Sequence, residues 1–61
     1  MQIDWAFEIK AYREKVFITQ EELAAKLGVS FATVNRWENK RNEPSIKQKR
    51  AISNLLNLTG R

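Results

Sequence analysis

TQEELAAKLGVSFATVNRWEN, residues 19–39, holds two short helix patterns separated by a glycine, and its reading decides the fold. The Thr19 hydroxyl can cap the first pattern while Glu22, three residues on, reaches back to the Thr19 amide. A helix therefore starts at about Gln20 and buries Leu23, Ala24 and Leu27. Gly28 follows where that helix must stop in a left-handed conformation, which costs glycine little. Ser30 caps the second pattern, which runs from Phe31 to about Asn39 with Val34 and Trp37, three apart, facing inward. Phe31, Ala32, Asn35 and Arg36 are left facing outward. Two short helices held at a fixed angle can place the second in the major groove of double-stranded DNA.

Upstream, Trp5, Ile9, Tyr12 and Val16 recur at spacings of four, three and four, which predicts a helix from about Asp4 to Val16 with these four as core candidates. Phe17 and Ile18 link it to Thr19. Ile3, Phe7 and Ala11 form a second stripe on its other face, to be covered either by a partner or by Leu56 and Leu58. Downstream, Lys40–Glu43 is a polar loop, and Pro44 suits the first turn of a fourth helix, where its missing amide has no helical partner. That helix covers about Ser45 to Asn57. Its apolar residues Ala51, Ile52, Leu55, Leu56 and Leu58 span a wider arc than one small core requires, leaving some to face a partner. With no repeat, linker or low-complexity segment, residues 1–61 are expected to form one compact all-α domain with its helix-turn-helix core at about 19–39.

A chain of 61 residues has one small core and no room for a large enzyme cleft. It contains no Cys and no His, so no disulfide, thiolate metal site or imidazole base is available, and no metal or cofactor is expected. The carboxylates are dispersed or committed to caps, so catalysis is not expected. Charged residues interrupt the apolar pattern of MQIDWAFEIK, which fits neither a signal peptide nor a membrane span, and a cytoplasmic protein is expected. Asn57-Leu58-Thr59 matches a glycosylation acceptor that has no meaning without secretion.

The net charge of +4 is unevenly placed. Residues 1–35 carry four basic side chains (Lys10, Arg13, Lys15, Lys26) against five acidic ones, whereas residues 36–61 carry seven (Arg36, Lys40, Arg41, Lys47, Lys49, Arg50, Arg61) against two, Glu38 and Glu43. The basic half begins inside the outward-facing helix. A polyanion on that side gains Coulombic attraction and counterion release.

From Ile9 to Ser45 the sequence resembles the lambda-repressor-like, or XRE-type, helix-turn-helix family, through the Arg13 of IKAYR, the TQEELAAKLGVS and ATVNRWEN blocks, and RNEPS, in the family's order and separations. The resemblance implies a bundle of four or five helices that binds operator DNA, commonly as a dimer. Carried over by position, it gives Gln20 a phosphate contact and a bracing bond to the first residue of the recognition helix. It assigns Phe31, Ala32 and Arg36 to base edges. Phe31 departs from the family's usual Gln or Ser and is limited to a thymine methyl or to shape, while Arg36 can bond guanine O6 and N7, worth about 1–3 kcal/mol of discrimination. Thr19, Ser30, Thr33, Asn35, Asn39, Lys40 and Arg41 are assigned to phosphates, which set register without reading sequence. Arg13 and Glu38 match an ion pair that orients the recognition helix.

The expected function is thus sequence-specific binding of double-stranded DNA in transcriptional regulation, repression being the family default, with a weak homodimer or a dimer formed on DNA. Two alternatives keep part of this reading: a DNA-binding module of a longer protein, and an antitoxin-type subunit whose main partner is another protein.

Overall fold

The computed structural model describes residues 3–57, whose regular structure is four helices: α1 (Trp5–Val16), α2 (Gln20–Leu27), α3 (Phe31–Glu38) and α4 (Ile46–Leu56). Every helix starts at a short polar cap. The Asp4 carboxylate accepts the Phe7 amide, and Ser30 accepts that of Thr33. Thr19 with Glu22, and Ser45 with Gln48, form reciprocal capping boxes. Each cap satisfies amides that have no intrahelical partner, for about 1 kcal/mol apiece. Ser45 is therefore the cap of α4, and Pro44 lies before the helix, buried, rather than in its first turn. The Ser45–Gln48 box takes the position that the proline was expected to mark.

All four described helices exit through a left-handed residue, Asn57 (φ 61°) serving α4. Gly28 (φ 72°) ends α2, with the Val29 amide donating to Ala24 O at 3.0 Å. Phe17 (φ 61°) ends α1, and Lys40 (φ 61°) follows the end of α3, with Ile18 and Arg41 amides donating to Arg13 O and Arg36 O. At Gly28 a side chain would meet nothing within 4 Å, so its cost would be purely conformational. Phe17 and Lys40 carry that conformational cost in the native fold.

One core joins the helices: Ile9, Leu23, Ala24, Val34, Trp37 and Ile52 are buried, with Trp5, Tyr12, Ile18, Leu27, Val29, Leu55 and Leu56 packed around them. Ile9, Leu23, Val34 and Ile52 are fully enclosed, each contributing roughly 1.5–3 kcal/mol relative to exposure. Two expectations for α1 change. Val16, the last residue of the helix, is exposed, while Ala6, outside the expected stripe, is buried. The broad apolar arc of α4 is largely absorbed: Ile52 is buried and Leu55 and Leu56 pack on the core, leaving Ala51 outside. Ile46, one turn earlier, is exposed. Ile3 and Phe7 are also exposed, whereas Ala11 is half-buried and shares a shallow groove with Leu56. Leu58, Thr59 and Arg61 lie outside the described residues. No helix among the described residues is long and apolar enough to cross a membrane.

Candidate nucleic-acid interface

At about 100° per residue, eight residues of α3 divide cleanly into two faces. Val34 and Trp37 are buried, and the Glu38 side chain is only 6% exposed. Ala32 and Arg36 are exposed on the other side, flanked by half-exposed Phe31 and by partly covered Thr33 and Asn35.

Glu38 is the anchor of the inward face. Arg13 grips it with two parallel bonds, Nε to Oε2 at 2.8 Å and Nη2 to Oε1 at 3.0 Å, and uses Nη1 on the Ile18 carbonyl at 3.3 Å. Gln20 Nε2 adds a third donor to Glu38 Oε1 at 2.9 Å. Burial pushes the Glu38 carboxyl pKa up, but the Arg13 and Gln20 hydrogen bonds and the charges of Arg13 and Lys10 outweigh it and hold the group below its ordinary value of 4.5. The hydrogen bond to Glu38 in turn raises Arg13, against desolvation. The carboxylate thus ties α1 and α2 to the last residue of α3. Among the described residues, no buried side-chain nitrogen or oxygen is left without a partner.

The amide of Gln20 continues the network outward. Its Oε1 accepts from Asn35 Nδ2 at 3.2 Å, and Asn35 Oδ1 accepts from Asn39 Nδ2 at 3.2 Å. Gln20 was expected to brace the first residue of the recognition helix; it braces the middle and end instead, because Phe31 has no polar atom to offer. Asn39 Nδ2 also donates to the Asn35 carbonyl at 3.0 Å, closing the end of the helix. The Asn39 amide donors are therefore engaged within the protein, where a phosphate would have to compete for them, whereas Asn35 Nδ2 spends one of its two hydrogens on Gln20.

Hydroxyl donors flank the start of α3. Thr19 accepts the Glu22 amide, which leaves its own proton free to donate. Ser30 and Thr33 share one proton across 2.9 Å, leaving the other outward. Lys40 and Arg41 stand exposed at the far end, about 12 Å away at 1.5 Å per residue. That separation is comparable to the width of a major groove, about 12 Å. Lys40 Nζ also lies 3.7 Å from Asp4 Oδ2, an exposed pair worth little. Reasoning from sequence had assigned Asp4 no role at this surface, nor Phe17, which lines a groove with Thr19, Gln20 and Phe31. The visible signal for Phe17 was an aromatic residue in a helix exit that favours glycine.

The helix-turn-helix family model matches residues 9–61, most of the chain and all of α2 and α3. No curated protein and no solved structure matches. A DNA-binding rather than an enzyme family accounts for a capped α2, a tight Gly28 turn and an α3 clamped on one face and bare on the other. The chain belongs to the lambda-repressor-like, XRE-type helix-turn-helix family of DNA-binding domains.

Proposed function

We propose that this domain is a sequence-specific transcriptional regulator that lays α3 in the major groove of operator DNA, and that it acts by repression, as is usual for its family. The observation that carries the reading is the division of α3 into a clamped inward face and an exposed face bearing Arg36, with phosphate donors at both ends. Arg36 reads guanine through O6 and N7, and Phe31 and Ala32 meet the neighbouring base edges. Thr19, Gln20, Ser30, Thr33, Lys40 and Arg41 fix the register on phosphates, joined by Asn35 through its second amide hydrogen and by Asn39 only at the cost of an internal bond. Such a protein works in the compartment that holds the DNA, the cytoplasm of a bacterial cell.

One domain reads one half-site. Two copies related by a two-fold axis place their recognition helices in successive major grooves about 34 Å apart, so the protein is expected to dimerise on DNA and only weakly in solution. Exposed Ile3 and Phe7 supply apolar surface for that contact or, in the antitoxin-type alternative, for another protein.

Selection of bound duplexes from a random pool, followed by a salt titration of the winner, tests the reading. A symmetric consensus is expected, with log K falling against log salt at a slope of about −4 to −5 per copy if some four to six phosphates are neutralised. A flat salt response and no enriched sequence would leave the protein-interaction alternative in its place.

A further inference from the structure

Phe17 is the least economical residue in the fold. It holds a left-handed backbone (φ 61°) while the residue is 91% exposed. The backbone conformation costs on the order of the 1 kcal/mol that glycine would avoid, and the ring returns nothing through burial. A disfavoured backbone combined with an unburied apolar ring points to a use outside the fold. The second observation concerns its neighbour: Phe31, the first residue of α3 and 48% exposed, lines the same shallow groove, with Arg13, Thr19 and Gln20 beside the two rings. Part of the polar surface there is engaged, since Arg13 bonds Glu38 and Ile18 O and the Gln20 amide bonds Glu38 and Asn35, while the Thr19 hydroxyl keeps its proton and Glu21 adds a carboxylate to the lining. The groove therefore combines two apolar rings, which suit a methyl group, with the few donors of Thr19 and Gln20 that remain for a phosphate.

We propose that Phe31, with Phe17 as the opposite wall, reads the C5-methyl group of thymine at the edge of each half-site. This rests on the DNA-binding reading above and names the chemistry of one base position within it. Thymine alone of the four bases presents an apolar group in the major groove, and a ring at the entry of α3 lies beside the base edges that this helix meets first. Phe17 covers the methyl from the side of the α1–α2 link and excludes water. Recognition at this position is then by desolvation of a methyl, while Arg36 reads by hydrogen bonds further along the helix.

The test uses the full chain and its selected duplex, resynthesised with deoxyuridine in place of thymine at each candidate position. Losing one read methyl should weaken binding about fourfold. Phe31→Ala should bind the thymine and deoxyuridine duplexes alike. Phe17→Gly should melt about 4–8 °C higher, since it relieves the backbone, yet bind the thymine duplex more weakly. Equal wild-type affinity for both duplexes would overturn the proposal while leaving DNA binding intact. A deoxyuridine penalty of the same size in Phe31→Ala would assign the effect to DNA shape and overturn it too, and unchanged binding by Phe17→Gly would remove that wall. Failure to bind any duplex is a different result, one that removes the DNA-binding reading itself.

Discussion

The two faces of α3 follow opposite rules. Inward, Val34 and Trp37 are sealed in the core, and the Glu38 carboxylate receives three hydrogen bonds from α1 and α2. Outward, Ala32 and Arg36 touch nothing that holds them, and Phe31 is half in solvent. A helix of eight residues is too short to hold its shape alone, so the inward face must supply the order that the outward face presents. Substitutions inward should therefore move stability and carry binding with them, whereas substitutions outward should move binding alone.

The hardest strain on that comparison is Trp37→Ala. Truncating a buried aromatic costs about 3–5 kcal/mol, and a chain of this size has little stability to lose. Circular dichroism melts should show the domain largely unfolded at ordinary temperature. A near-normal melt with binding lost would put Trp37 on the DNA side and erase the division between the faces.

Glu38→Gln comes next. It keeps the side-chain shape but leaves the Arg13 charge, 18% exposed, without its counter-ion. The expected loss is about 2–4 kcal/mol, between that of an exposed pair and a buried one. The pH dependence gives a second reading. Because the folded-state pKa of Glu38 is depressed below 4.5, its contribution to stability is fully present above that value and is lost as pH falls through the folded value. Acid melts of the wild type should thus steepen below pH 4.5, and those of Glu38→Gln should be flatter in the same window. Parallel acid profiles would mean that the pair holds nothing.

Outward substitutions sharpen the contrast with the smallest effects on stability. Arg36→Ala should melt within about 0.5 kcal/mol of the wild type while losing preference at one base pair in competition binding. Lys40→Gly should melt slightly higher, by up to about 1 kcal/mol, because glycine accepts the left-handed backbone there. It should nonetheless weaken binding to all sequences alike, since phosphates position and do not specify. An Arg36→Ala protein with an unchanged base preference would reduce that residue to a backbone contact.

Much of this was legible along the chain because it is local. Helices α2 and α3, their Thr19 and Ser30 caps, the Gly28 turn and the burial of Val34 and Trp37 all follow from residues within four positions of one another. Periodicity failed where burial depends on what stands opposite. Val16 continues the apolar spacing of α1 yet is exposed at the last residue of the helix, and Ala6 is covered although it breaks the stripe. Pro44 carried a helix-start signal that the adjacent Ser45–Gln48 box overrode. The site divided in the same way. The Arg13–Glu38 match joins residues 25 positions apart, and family resemblance rather than spacing brought it to notice.

By itself the sequence determined the all-helical character, the caps at which α2 and α3 start, the turn between them, and the basic character of the second half, since caps, left-handed turns and charge counts act over a few residues or none. Only the tertiary structure decided which way Gln20 points, that Asn35 turns an amide hydrogen onto it, and that Phe17 and Phe31 stand on one groove. Those outcomes depend on donors, acceptors and rings brought together from separate helices, and a linear spacing carries no information about which of several reachable partners closes a bond.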